Sequence, residues 1–116
     1  MVKIDLSYLE SIAGGDKIFI KEMLEMFNKS TIPEIINIEK FAANKNWEKL
    51  SVVAHKIKAP LQMIGQTETY DLILELEKNA KNKINLDDVD HLIALIKIKM
   101  DEIKNEINKV ILSLKK

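Results

Sequence analysis

Hydrophobic residues recur every three or four positions along most of the chain, which is the spacing of an amphipathic α-helix. The pattern predicts a short first helix over 7–13, with Ser7 as its N-cap and Gly14-Gly15 as its end. Polar residues 28–31 predict a break after the second helix. Asp16 is expected to cap that second helix, whose apolar stripe holds Phe19, Ile20, Met23, Leu24 and Phe27.

The middle of the chain predicts two further helices. Pro33 fits the first turn of the third helix, where its missing N–H costs nothing, and residues 44–46 predict a short turn. The fourth helix is expected to run from about Trp47 to Ile64, and Gly65 is expected to end it.

The last third of the chain predicts two more helices. Either Thr67 or Thr69 is expected to cap the fifth helix, and residues 82–85 predict the turn that follows. From Leu86 to about Leu114 the period is unbroken, which predicts a helix about 40 Å long. Short turns between amphipathic helices predict one domain over 1–116, an up-down antiparallel four-helix bundle with one or two additional N-terminal helices. The core of this bundle would be formed either by the second, fourth, fifth and sixth helices or by the third, fourth, fifth and sixth helices.

The composition supports an all-α fold and narrows the chemistry. Three glycines and two prolines are too few for the turns of an all-β domain, and no glycine-rich phosphate loop is present. The chain has no cysteine and two histidines, His55 and His91. Thiolate chemistry is therefore excluded, and a multi-histidine metal site is not expected.

Charge and hydropathy argue against two classes of partner. Eighteen basic residues balance 18 acidic ones, whereas nucleic-acid or anionic-membrane binding needs a surplus of Lys and Arg. No apolar run approaches the roughly 18 residues of a membrane span, and the first ten residues do not have the pattern of a signal peptide. We therefore expect no nucleic-acid partner and no membrane association.

His55 lies on the polar side of the predicted fourth helix. At about 100° per residue, the apolar stripe lies roughly 160° to 260° away from it around the helix axis. The imidazole is therefore expected to face solvent rather than the core, and an ordinary surface histidine is the alternative. The stripe consists of Leu50, Val53, Ala54, Ile57, Leu61 and Ile64.

The neighbours of His55 suit a phosphoryl group. Neutral imidazole is a good nucleophile near pH 7, and Lys58, one turn further on, can offset the charge of its phosphorylated form. Gln62 lies on the same face and can donate hydrogen bonds to phosphate. The alternative interpretation of the lysines is that they simply form a solvated helix face. The alternative interpretation of the apolar residues near His55 is that they are incompletely buried at the flank of the helix. The candidate docking surface consists of Val52, Lys56, Ala59 and Met63.

Three stretches carry a family resemblance: Ala54-His55-Lys56-Ile57-Lys58, then Gly65, then Glu75-Leu76-Glu77 in the next helix. In this order and spacing the chain resembles the histidine-containing phosphotransfer (HPt) domains of multi-step two-component relays, over about residues 5–112. The earlier part of the family pattern is matched by Asp5-Leu6, Tyr8-Leu9, Gly14-Gly15-Asp16, Phe19-Ile20, Glu22-Met23-Leu24, Phe27 and Trp47 to Leu50.

The resemblance implies a role for each matched residue. His55 would accept the phosphoryl group through Nε2, and Lys58 would stabilise it. Glu77 would hydrogen-bond the other ring nitrogen and fix the ring, with a plain solvated glutamate as the alternative. Gly65 would let the two helices approach and the chain turn.

The resemblance also implies the partners. Response-regulator receiver domains and a hybrid sensor histidine kinase would exchange phosphate with this chain, and the receiver would supply Mg²⁺. The chain itself would bind no cofactor or metal and have no ATP site, so it would be a phosphocarrier rather than an enzyme. It would be a cytoplasmic monomer, either free-standing or part of a hybrid kinase.

Two residues depart from the family pattern. Ala59 replaces a usual glycine, and Pro60 lies inside the helix, where it is expected to cause a bend and expose the Lys56 carbonyl. Pro60 also makes residues 55–61 similar to the H-E-L-R-T-P-L box of sensor-kinase dimerisation domains, although Lys56 replaces the acidic residue of that box. That domain, and a helical module that binds receivers or kinases without carrying phosphate, are the alternatives.

Overall fold

All regular secondary structure in the computed structural model is helical over the residues that it describes, 2–114. The predicted all-α fold is thus confirmed. Within the same range, no helix is both long and apolar enough to cross a membrane. The α-helices are α1 (Ser7–Ala13), α2 (Lys17–Met26), α3 (Glu34–Ala43), α4 (Trp47–Met63), α5 (Thr67–Asn82) and α6 (Val89–Leu114).

A single apolar core joins these helices. Helix α4 packs against α3 and α5, and α6 packs against α2, α3 and α5. Each large apolar side chain that is fully buried contributes about 1.5–3 kcal/mol to folding. The side chains with no exposed surface include Leu24, Ile38, Leu50, Leu61, Ile73, Leu76, Ile96, Ile103 and Ile107.

The start of α1 differs from the prediction, whereas its end and the start of α2 do not. Ser7 is the first residue of α1 and not its cap, because Leu6 occupies the N-cap position without a side-chain hydrogen bond. The Ser7 backbone N–H donates to Asp5 Oδ1 at 2.9 Å. Gly14 adopts a left-handed conformation with φ of 58° and ends the helix. The Asp16 side chain accepts the backbone N–H groups of Ile18 and Phe19 and thereby caps α2, as predicted.

The predicted break over 28–31 is wrong, because the chain stays helical there. A π-helical turn over Phe27–Thr31 joins α2 to the residues before α3, and the Ile32 N–H donates to the Phe27 carbonyl at 3.1 Å. The wider turn buries both Phe27 and Thr31. Pro33 precedes α3 at its N-cap position instead of lying within its first turn.

The cap of α5 is also different from the prediction. Neither Thr67 nor Thr69 caps the helix. Gln66 does so, because its Oε1 accepts the Thr69 backbone N–H at 3.1 Å and the Thr69 hydroxyl at 2.7 Å. Both residues are buried, so tertiary packing stabilises a cap that local preferences do not favour.

The N-terminal segment lies across the connection between α4 and α5. The Asp5 N–H donates to the Ile64 carbonyl at 2.8 Å, and Gln66 Nε2 donates to the Lys3 carbonyl at 2.7 Å. Gly65 has φ of 67°, and a Cβ there would lie 2.5 Å from Asp5 Cβ. Glycine is therefore required both by the backbone conformation and by the close approach of the N-terminal segment. These contacts hold the connection that sets the register of α4 against α5.

Candidate functional site

His55 projects from α4 into solvent, as its place on the predicted helix indicates. Its side chain is 72% exposed, whereas Ala54 and Ile57 on the other side of α4 are buried. The Asn46 side chain caps this helix by accepting the Lys49 N–H. Helix α4 continues through Pro60 to Met63, and the expected bend at Pro60 stays a prediction.

Glu77 joins His55 to Lys58. One carboxylate oxygen, Oε2, lies 2.8 Å from His55 Nδ1, and the other, Oε1, lies 2.7 Å from Lys58 Nζ. The Glu77 side chain is 14% exposed and the Lys58 side chain 17% exposed, so both are far less accessible than the ring that they support. One carboxylate of α5 thus contacts two side chains of α4.

The ionisation of Glu77 determines which nitrogen of His55 carries a proton. Burial raises the pKa of the Glu77 carboxyl, but the hydrogen bonds from Lys58 and His55 outweigh it and hold the pKa below its ordinary value. An ionised carboxylate only accepts hydrogen bonds, so His55 Nδ1 must be the donor. In the neutral ring the lone pair is then on Nε2, which makes Nε2 the nucleophilic nitrogen.

The ring opens onto a shallow depression between α4 and α5. Lys81 and Lys83 line it on the α5 side, and neither was among the residues predicted from the sequence. Lys81 follows Glu77 by four residues, so it lies on the same face of α5, and this spacing is the signal that would have found it. The residues that line the depression are Glu48, Ser51, Val52, His55, Glu77, Ala80, Lys81 and Lys83.

Of the other predicted site residues, Val52 lies at this depression and the rest lie apart from it. Val52 is 64% exposed and lines the depression, but Lys56 and Met63 line a separate apolar cleft of about 250 Å³ between α2 and α4. Lys56 Nζ pairs with Glu34 Oε2 at 3.3 Å beside that cleft. Ala59 and Gln62 are exposed on α4, and neither lines either concavity.

Pro60 lies in the wall of the apolar cleft rather than beside the ring. The predicted docking surface is therefore divided between two sides of α4. Val52 is next to the imidazole, and Lys56 and Met63 face the cleft that Met23 and Met26 of α2 also line.

No metal site accompanies this arrangement in the part of the chain that the structure describes. There, no group of three or more acidic, histidine or cysteine side chains is placed to hold a metal ion. At the depression itself, the side chains offer one nucleophilic nitrogen on His55, one carboxylate that orients it, and the ammonium groups of Lys81 and Lys83.

Comparison of the chain with models of protein families, with curated proteins and with solved structures finds no match in any of the three.

Proposed function

We propose that this chain is a phosphorelay intermediate of the HPt type, in which His55 carries the phosphoryl group between receiver domains. The observation that supports this most directly is an exposed imidazole whose Nδ1 is hydrogen-bonded to a largely buried carboxylate. That arrangement leaves Nε2 as the accessible nucleophile. We further propose that α3, α4, α5 and α6 form an up-down antiparallel bundle, because consecutive helices pack together and α6 packs back on α3.

The proposed reaction is an in-line transfer from an aspartyl phosphate. The Nε2 lone pair attacks phosphorus, a P–N bond forms, and the acyl-phosphate P–O bond breaks to release the aspartate carboxylate. The ring becomes an imidazolium that keeps its Nδ1 proton. The Glu77 carboxylate 2.8 Å away offsets this positive charge, and the reverse sequence passes the phosphoryl group to a second aspartate.

The partners in this proposal are response-regulator receiver domains and a hybrid sensor histidine kinase. The receiver would supply Mg²⁺ and most of the stabilisation of the transition state, and this chain would supply a positioned nucleophile. Val52 beside the ring and Lys56 and Met63 at the apolar cleft would contact the receiver. The chain would act in the cytoplasm as a monomer, without a nucleotide of its own.

Transfer from phosphorylated receivers tests the proposal. Receiver domains encoded in the same genome are charged with labelled phosphate and mixed with the chain, and the label is followed in time. We expect transfer from at least one receiver to His55, in an acid-labile and alkali-stable form, and none to a His55→Gln variant.

Two results would contradict the proposal. Binding of a receiver with equal affinity to both forms and no label in either would identify a non-catalytic binding module. A stable dimer by light scattering, phosphorylated by a kinase ATP-binding domain but by no receiver, would identify a kinase dimerisation domain.

A further inference from the structure

Resting on the proposed function, we propose that Lys81 is the ammonium group that contacts the phosphoryl group on His55, and that Lys58 acts through Glu77 as a positioning residue. The resemblance assigns phosphate stabilisation to Lys58. The arrangement of charges in the folded chain favours phosphate contact by Lys81 and a positioning role for Lys58.

Lys58 is already engaged before any phosphate arrives. Its Nζ lies 2.7 Å from Glu77 Oε1, and its side chain is largely buried between the helices. Moving it to a phosphoryl group would leave the carboxylate of Glu77 with one partner fewer in a mostly buried setting, which is costly. Lys58 also does not line the depression onto which the ring of His55 opens.

Lys81 has the opposite properties. It is exposed, it lines the depression, and it forms no ion pair with any residue from 2 to 114. It lies about 40° around α5 from Glu77 and one turn further along the helix. Since Glu77 contacts Nδ1 of His55, the side chain one turn beyond it is well placed to reach a group attached to the same ring.

Lys83 adds a second cation to the same depression in a strained conformation. Its φ is 53°, at the C-terminal end of α5, where glycine is the residue that usually adopts this conformation at low cost. Glu48 is the other carboxylate of the depression besides Glu77, and neither it nor the two lysines form an ion pair with another residue in the described range 2–114.

Chemical phosphorylation isolates this question from the docking of a receiver. Phosphoramidate is the probe: Nε2 of His55 attacks its phosphorus, the P–N bond of the probe breaks, and ammonia leaves. The initial rate of labelling and the ³¹P titration of the phosphohistidine are measured for the unsubstituted chain and for Lys81→Gln, Lys58→Gln and Lys78→Gln. Lys78 is the matched control, because it is exposed on α5 but does not line the depression.

For Lys81→Gln we expect labelling to slow about fivefold, the effect of one nearby charge at a protein surface, and its dependence on salt to weaken. The ³¹P midpoint of the phosphoryl group should move to higher pH, because its dianion loses a cation. The ¹⁵N signals should still show a proton on Nδ1. For Lys58→Gln we expect the ¹⁵N signals of His55 to change instead, and for Lys78→Gln no change.

Each outcome has a distinct meaning. If Lys81→Gln matches Lys78→Gln in rate and in ³¹P midpoint, the assignment of Lys81 is wrong and the proposed function stands. If Lys58→Gln alone moves the ³¹P midpoint, Lys58 is the phosphate contact. If the unsubstituted chain takes no label on His55, both this inference and the proposed function are contradicted.

Discussion

His55 and His91 are both exposed histidines on helices, yet their rings have different neighbours. The Nδ1 of His55 is hydrogen-bonded to a carboxylate from another helix, and that carboxylate is itself paired with Lys58. The ring of His91, in the first turn of α6, has no hydrogen bond or ion pair with any other residue among 2–114, although Asp87, Asp88 and Asp90 precede it closely in sequence.

Solvent exposure alone therefore does not fix the tautomer or the orientation of a histidine ring. An unsupported ring samples both neutral tautomers and many orientations, whereas Glu77 selects one tautomer and one ring plane for His55. The support comes from a residue 22 positions away, so it depends on how α4 and α5 pack.

The first test labels both histidines under equal conditions. With phosphoramidate we expect one phosphoryl group per chain by intact mass. His55→Gln should abolish the label, and His91→Gln should leave its rate unchanged, because only His55 has a fixed nucleophilic nitrogen. Equal labelling of the two histidines would show that the contact with Glu77 confers no advantage.

A second test changes the packing that supports His55 without touching the site. Gly65→Ala must place a Cβ against Asp5 and keep a positive φ, so we expect the free energy of unfolding to fall by about 2–3 kcal/mol. The NMR signals of His55 should shift while those of His91 do not. Urea denaturation measures the first effect.

Gly14→Ala is the matched control for that test. Gly14 also has a positive φ, but a Cβ there would meet nothing within 4 Å, so the cost should be about 1 kcal/mol. Equal losses in the two variants would mean that the contact between Gly65 and the N-terminal segment is unimportant.

A third test removes the charge that holds the ring. Glu77→Gln keeps the shape, but an amide can donate to Nδ1 as well as accept from it, so the tautomer is no longer fixed. We expect labelling of His55 to slow about tenfold, the worth of one hydrogen bond to a charged group. Glu75→Gln, an exposed position on the same helix, should have no effect. A normal rate for Glu77→Gln would show that ring orientation is set by other contacts.

The pKa of Glu77 gives a prediction with a defined sign. Burial raises this pKa, and the bonds from Lys58 and His55 lower it further than burial raises it, so it lies below the ordinary 4.5. The two contacts should therefore stabilise the fold fully above pH 4.5, and their contribution should be lost as the pH falls through the folded-state pKa. Comparing the unfolding of the chain and Glu77→Gln across this range measures the loss.

The pKa of Glu77 can also be used to separate the effect of burial from the effect of the contacts with Lys58 and His55. In a Lys58→Met, His55→Leu double variant neither new side chain can donate to the carboxylate, so the two lowering contacts are gone and burial remains. We expect a ¹³C titration to place the pKa of Glu77 above 4.5 in that variant. A value that stays below 4.5 would mean that other donors hold this carboxylate.

The smallest expected effect is at the end of α5. Lys83→Gly relieves a left-handed lysine, so we expect the free energy of unfolding to rise by about 0.5 kcal/mol while labelling of His55 slows slightly. Lys45→Gly is the matched control, since Lys45 also has a positive φ but does not line the depression. It should gain stability without any change in labelling.

The sequence predicted those features of the fold that depend on interactions between residues close together in the chain. The cap at Asp16, the end of α1 at Gly14 and the start of α4 after Asn46 all follow from short-range hydrogen bonds and backbone preferences. The helical wheel likewise placed His55 in solvent. These features need no knowledge of what packs where.

Tertiary contacts decided the features that the sequence did not reveal. Gln66 caps α5 because it is buried between Thr69 and the Lys3 carbonyl, a contact across more than 60 positions. The π-helical turn at Phe27–Thr31 buries two side chains that a regular break would expose. The contact between Glu77 and His55 was expected only from the family resemblance. Lys81 could be placed beside this contact only once the register of α4 against α5 was known.

Because Gly65 marks the connection between α4 and α5, the number of residues between His55 and Glu77 determines whether their side chains meet. The two site residues lie ten positions before and twelve positions after it, which corresponds to about 15 Å and 18 Å of helix on either side of the connection. A single inserted or deleted residue in that interval would rotate the carboxylate by about 100° around α5 and take it off the imidazole. Chains that share this site should therefore vary in length outside this interval and keep it constant, which gives a criterion for recognising them where overall sequence similarity has faded.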